Sequence, residues 1–315
     1  MGTCLAGFDI TQAQLGCKKL AGLLIGWRTD TVQQLACLTQ LTSLSCKVGP
    51  DNGSWQDLLQ LSLLQSLELQ EVLTLTTIVT TFVQLQSLRL HGHHEEICNL
   101  ESRTQLTELQ IHLLAGDHLK TILLPASNHV MLQTLAIWDG RCKHDHDFCL
   151  RNLLLVTHLE RLYVACQWLS NMGQVDLNVL PSLQLAYLSD PYCAMPVNLT
   201  FSTGLVKLTL KDYHLPSLPL WLSCMTQLRD LSIHHHNLDH FPESVLHLSQ
   251  LYVLSLIGYN PAQQFLLSRR ILSLADWPNL TSCRVDTRAA GSQLLLEELR
   301  KLLSVRNPTC KFHST

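Results

Sequence analysis

Residues 205–227 read LVKLTLKDYHLPSLPLWLSCMTQ, and residues 228–250 read LRDLSIHHHNLDHFPESVLHLSQ. Laid one above the other, these two 23-residue copies place apolar residues at matching positions. The pairs are Leu205 and Leu228, Leu208 and Leu231, Leu210 and Ile233, Leu215 and Leu238, Leu218 and Phe241, Leu222 and Val245, and Met225 and Leu248. Pro219 and Pro242 also coincide. A fixed period of this length decides the fold before any single motif is read. Each copy opens on Leu-x-x-Leu-x-Leu, and the alternation in its second half is that of a short, half-buried strand. Such a strand cannot bury its leucines alone. Successive copies must stack into one parallel sheet with a continuous core behind it.

Working outward, the opening leucine recurs at Leu20, Leu41, Leu64, Leu85, Leu106, Leu132, Leu159, Leu183, Leu205, Leu228, Leu251 and Leu280, in steps of 21 to 29 residues. Leu180 also fits as the eighth anchor. Leu183, followed by Ala186 and Leu188, is preferred because Pro181-Ser182-Leu183 parallels Pro278-Asn279-Leu280. Between phrases the chain must return across the back. Trp55 to Leu64 and Phe148 to Leu159 have the length and leucine content of helical returns, whereas Leu215 to Leu228 reads as a tighter one.

With these positions fixed, the chain resembles the leucine-rich repeat family in its intracellular short-repeat form, L-x-x-L-x-L-x-x-N-x-L-x-x-L-P-x-x-L-x-x-L-x-x-L. The match is densest over residues 205–260 and recognisable from about 20 to 290. The resemblance implies an α/β solenoid, an arc or horseshoe with a parallel sheet on its concave face and short helices or irregular returns on its convex face. It divides the chain into an N-terminal cap (1–19), a repeat domain of about 12 repeats (20–290) and a C-terminal helical cap (291–315). In the last segment Leu294 to Leu303 has the spacing of an amphipathic helix, Asn307-Pro308 should stop it, and Cys310 to Phe312 should add an edge strand. A cap is physically expected because an open sheet edge invites aggregation. One departure stands out. The ninth position, asparagine in the family, is here Arg28, Gly49, Val72, His93, Leu114, Gly140, Gln167, Pro191, Tyr213, His236, Tyr259 and Arg288. With no asparagine ladder, the turn amides need other partners, and the curvature should be uneven.

Composition narrows the function. Hydrophobic residues make up 46% and charged residues only 15%, which excludes a disordered chain. A net charge of -3 leaves no basic footprint for nucleic acid. There is no apolar run long enough to span a bilayer and no secretion signal in residues 1–19, so reduced thiols and a cytoplasmic or nuclear setting are expected for the 12 cysteines. Cys46 and Cys283 stand where the repeat wants a buried leucine and read as small core residues.

No nucleophile elbow, phosphate loop or zinc-binding helix motif is present, and no cofactor is implied. Cys142, His144, His146 and Cys149 bring zinc-type ligands into eight residues. Alternating His144 and His146 would diverge on a strand, however, and the competing reading is a polar loop in a lengthened repeat. Of the 16 histidines, His91, His93, His94 and His234, His235, His236 form two groups that read either as a pH-sensitive face or as solvated turn residues.

The residue between the second and third leucines of each phrase points away from the core. That column runs Leu24, Ser45, Glu68, Arg89, Gln110, Ala136, Tyr163, Tyr187, Thr209, Ser232, Ser255, Arg284. Two residues on lie Lys47, His91, His112, Trp138, Ser189, Lys211, His234 and Asp286. Trp138, Tyr163 and Tyr187 come from consecutive repeats and are the expected partner-binding patch, with Asp190, Lys211 and Asp212 as its charged rim. The expected function is a non-enzymatic scaffold binding another protein on the concave surface. The alternative is the recognition module of a ubiquitin-ligase adaptor or of an immune or signalling receptor system.

Overall fold

A computed structural model describes residues 19–25, 39–48, 61–72, 84–93, 97–100, 105–113, 121–124, 131–139, 149–151, 153–165, 176–189, 200–201, 203–212, 217–218, 220–236, 238, 240–258, 266–286 and 290–314. The chain divides into two units, Met1–Leu159 and Glu160–Thr315. Among the described residues, the main sheet of the first unit comprises Lys19–Ile25, Ser43–Val48, Ser66–Val72, Ser87–His93, Glu108–Leu113 and Thr134–Asp139 in that spatial order, all neighbours parallel. That of the second comprises Arg161–Ala165, Leu185–Ser189, Lys207–Lys211, Asp230–His236, Val253–Gly258, Ser282–Val285 and Lys311–His313, again parallel and in chain order. Parallel strands that are consecutive in sequence require the chain to cross behind the sheet after each one, which makes each unit a solenoid.

Register follows the phrase from the second strand onward; at the first, Leu20 rather than Leu23 pairs with Leu44, and the register shifts between Leu20 and Leu23, so Leu24 lies opposite Lys47 and not Ser45. In the first unit Leu44, Leu67, Leu88, Leu109 and Leu135 lie side by side. In the second, Leu162, Ala186, Leu208, Leu231, Leu254 and Cys283 do the same. Both rows are buried, as is every described anchor from Leu41 to Leu280. The pairing of Leu162 with Ala186 settles the eighth repeat on Leu183; Leu180 is buried in the turn before it. Cys283 is fully buried, and burial, with Cys310 nearby, pushes its thiol far above its ordinary value.

The strands are joined at their entry by a backbone ladder. At nine of the described anchors the carbonyl of the following residue accepts two N–H groups from the next repeat. Thr42 takes Gln65 and Ser66 at 2.9 and 3.0 Å, and Gln86 takes Thr107 and Glu108 at 2.8 and 3.0 Å. In the second unit Val206 takes Arg229 and Asp230 at 2.8 and 3.1 Å, and Tyr252 takes Thr281 and Ser282 at 2.8 and 3.0 Å. Amide groups at these turns are thereby satisfied without side chains.

The returns differ from the helices expected. Phe148 to Leu159 holds a short strand, Cys149–Arg151, and a single 3₁₀ turn, Leu153–Leu155. Trp55 to Gln60 lie outside the described residues. The cause is a period of three: Leu153, Val156 and Leu159 are buried, and N–H groups of Val156 and Leu159 reach the carbonyls three residues back at 3.0 and 3.1 Å. A three-residue apolar repeat keeps one face on a 3₁₀ helix and drifts around an α-helix. Leu222, Met225, Leu228 and Val245, Leu248, Leu251 repeat this arrangement in the second unit. Some returns also pair with one another: Ile97–Asn99, Thr121–Leu123 and Cys149–Arg151 form a small parallel sheet in the first unit, and Asp176–Leu177 with Thr200–Phe201 another in the second.

The one long helix among the described residues, α1, runs Ala290–Arg306. Its buried face is Ser292, Leu296, Leu299 and Leu303, at the four-three-four spacing of an α-helix, and it packs on the 3₁₀ return Arg269–Asp276. Lys311–His313 then pairs with Ser282–Val285 as the last strand. Between them Asn307 is buried. Its side-chain amide donates to the carbonyls of Trp277 at 3.1 Å and Leu280 at 2.7 Å, and its carbonyl oxygen accepts from Thr309 Oγ1 at 2.9 Å. No helix of the described residues is long and apolar enough to cross a membrane.

Candidate functional site

On the solvent side of each sheet the residues between the leucines form rows in the same register. In the second unit Tyr163, Tyr187, Thr209, Ser232, Ser255 and Arg284 are successive neighbours. The Tyr163 and Tyr187 rings lie 6.4 Å apart and tilted by 34°. Burial raises the Tyr187 phenol above its ordinary value, with Lys211 opposing and Asp212 adding to the effect. The parallel row runs Ala165, Ser189, Lys211 and His234.

Of the residues expected as a charged rim, Lys211 and Asp212 lie beside one another. Asp212 has φ 64°, the left-handed region that aspartate tolerates better than most residues. It is fixed there from several sides: its N–H donates to the His234 carbonyl at 3.0 Å, Ser189 Oγ donates to its carboxylate at 3.1 Å, and Lys211 Nζ lies 3.7 Å away. Asp190 lies outside the described residues. Trp138 belongs to the first unit and the two tyrosines to the second. Trp138 stacks on His112, with centroids 6.1 Å apart.

His91 and His234 stand in strands rather than in turns, on the solvent side of their sheets. Gly92 beside His91 takes φ 75°, which costs glycine no steric strain. His94, Cys142, His144 and His146 lie outside the described residues, and Cys149 is in the small return-side sheet.

Sequence reasoning missed a network in the first unit. Glu108 accepts from Ser87 Oγ at 2.9 Å, from Arg89 at 3.0 Å and from Gln110 Nε2 at 2.6 Å. The signal was available: the register that aligns the leucines sets Ser87 opposite Glu108 and Arg89 opposite Gln110. Burial pushes the Glu108 carboxyl up, but hydrogen bonds from Ser87, Arg89 and Gln110 and the Arg89 charge outweigh it and hold the group below its ordinary value. A carboxyl depressed on folding contributes stability that is present above its unfolded value of 4.5 and is lost as pH falls through the folded one. Glu108→Gln should therefore flatten the pH dependence of urea-unfolding stability below about pH 5, and an unchanged slope would show the network to be energetically idle.

No protein-family model matches the chain, and no curated protein sequence matches it. Its structure is similar to the functional domain of InlJ from Listeria monocytogenes, a leucine-rich repeat protein, with a TM-score of 0.53 at 15% identity, covering 95% of this chain and 58% of that one. This chain has the leucine-rich repeat fold. A leucine-rich repeat protein of Leptospira interrogans matches with a TM-score of 0.40 at 17% identity, over 95% of this chain and 93% of that one. A plant peptide hormone receptor in complex with RGF2 matches at 0.32 and 12% identity, over 95% and 68%. Within the leucine-rich repeat fold, the in-register rows are where chemistry varies while the scaffold repeats.

Proposed function

We propose that this chain is a non-enzymatic scaffold that binds another protein on the solvent-facing side of its parallel sheet. The observation that carries the reading is the Tyr163–Tyr187 pair, two adjacent half-buried aromatics on neighbouring strands held in one register. Aromatics on a fixed backbone lose little freedom on binding and are enriched where binding energy concentrates. Ser189, Lys211 and Asp212 give this patch a polar margin with its own internal hydrogen bonding. Trp138 is its counterpart on the first unit. Residues 1–19 and 291–315 act in this reading as caps for the repeat domain at 20–290. The thiols of Cys224, Cys283 and Cys310, all unbridged, favour a reducing compartment.

The test begins with affinity capture and mass spectrometry from the native cell to obtain a partner. Tyr163→Ala/Tyr187→Ala should then weaken that partner by at least about tenfold while leaving the melting temperature within a few degrees. Leu220→Ser, at a residue 85% exposed on a return, should leave binding unchanged. A double variant that retains wild-type Kd refutes the assignment.

A further inference from the structure

One row on the first unit's solvent side carries two ionisable rings. Gln70, His91, His112 and Trp138 are neighbours in register across four strands. The His91 and His112 rings are 4.5 Å apart and within 8° of parallel, and Trp138 continues the stack 6.1 Å beyond His112 at 19°. Glu68, one strand before His91, places Oε1 3.5 Å from His91 Nε2. Among the described side chains, the other charged groups facing the row are Arg89, on the His91 strand, and Glu108, on the His112 strand; they pair with each other at 3.0 Å. Glu68 is thus the carboxylate that serves the row, and it touches His91, not His112.

Two face-to-face imidazoles at this separation accommodate one positive charge far better than two. We propose that Glu68, His91, His112 and Trp138 form a proton-responsive row, in which a proton taken up by His112 against the stacked His91 ring parts the stack. His112 is held below its ordinary value of 6.5, by burial first and then by His91 and Arg89, with Glu68 opposing. A histidine whose value falls on folding takes up its proton more readily in the unfolded chain, so its contribution is present above 6.5 and is lost on acidification. Acid also converts this part of the face from a near-neutral aromatic strip to a cationic one, with no partner required.

Trp138 supplies the readout, because an imidazolium in contact with an indole quenches its emission and a neutral imidazole does so far less. The Trp138 signal, taken as wild type minus Trp138→Phe, should fall on acidification from about pH 8 to about pH 5. His112→Phe keeps a stacked ring without a titrating group and should abolish that fall. His91→Gln removes the opposing charge and should move the midpoint to higher pH. Histidine ring-proton NMR of the wild type follows both groups directly, so a variant that fails to fold leaves the test intact. A flat wild-type signal, an undiminished fall in His112→Phe, or NMR titrations of His91 and His112 that are independent of one another would each overturn the proposal.

Discussion

Leu231→Asp should destabilise the second unit by about 3–5 kcal/mol, a large share of the roughly 5–15 kcal/mol that keeps a domain of ordinary stability folded. Leu231 is fully buried, and its neighbours in the row, Leu208 and Leu254, are too. Removing the isobutyl group empties a site lined on both sides by leucines that the backbone ladder holds in place, so the space cannot close by a sheet movement. The carboxylate then has neither water nor a charge partner at that depth. Each repeat contacts mainly its two neighbours, so the damage should begin at the strands carrying Leu208 and Leu254. Urea unfolding followed by far-UV circular dichroism measures it. Ser282→Asp, at an outward position opposite Lys311, is the matched control and should stay within about 0.5 kcal/mol of wild type. Equal tolerance of both substitutions would mean that the inward and outward columns have been assigned the wrong way round.

Asn307→Ala should remove about 2–3 kcal/mol, the largest expected effect of any polar truncation in the second unit. The side chain is buried, donates to the Trp277 and Leu280 carbonyls at 3.1 and 2.7 Å, and accepts from Thr309. Truncation strips the Leu280 carbonyl of this donor at the end of the last 3₁₀ return. It also releases the segment joining α1 to the final strand, Lys311–His313. The expected signature is local before it is global: amides of Cys310 and Lys311, which donate at 3.0 and 2.8 Å to Asn307 and Thr281, should exchange with solvent faster than those of Asp230–His236. A variant with wild-type exchange at Cys310 and Lys311 would show that helix packing alone holds this end.

Asn307 also bears on the asparagine ladder the sequence lacks. Elsewhere the strand-entry amides are served by main-chain carbonyls, and here one asparagine from outside the repeat pattern serves the carbonyls of the last return. Amide partners of this kind leave no mark in a single repeat's sequence, because donor and acceptor sit 27 and 30 residues apart.

The strands and their faces were legible because both depend on a period of two: from Leu44 to Cys283, each second leucine position that the structure describes is buried and paired as the phrase dictates. The returns were less so. Leu153, Val156 and Leu159 repeat every three residues, a spacing that over so few positions passes for the 3.6 of an α-helix. The small return-side sheet was invisible because strands of three residues carry too little alternation to be seen. At the candidate face, the tyrosine row could be read off one column, whereas the Glu108 network and the Glu68–His91 contact needed adjacent columns to be read together.

The backbone ladder has an evolutionary consequence. Its acceptors are the carbonyls of residues as unlike as Thr42, Gln65, Gln86, Val206, Arg229 and Tyr252, so any residue but proline, which lacks the N–H this position also donates, can join its repeat to both neighbours. An ancestral gene could therefore gain or lose a repeat by in-phase recombination without first finding matching side chains at the junction. Adjacent copies are free to drift apart in sequence while remaining joinable. Anchor steps range from 21 to 29 residues, yet the second leucine positions from Leu44 to Leu135 and from Leu162 to Cys283 stay paired strand to strand.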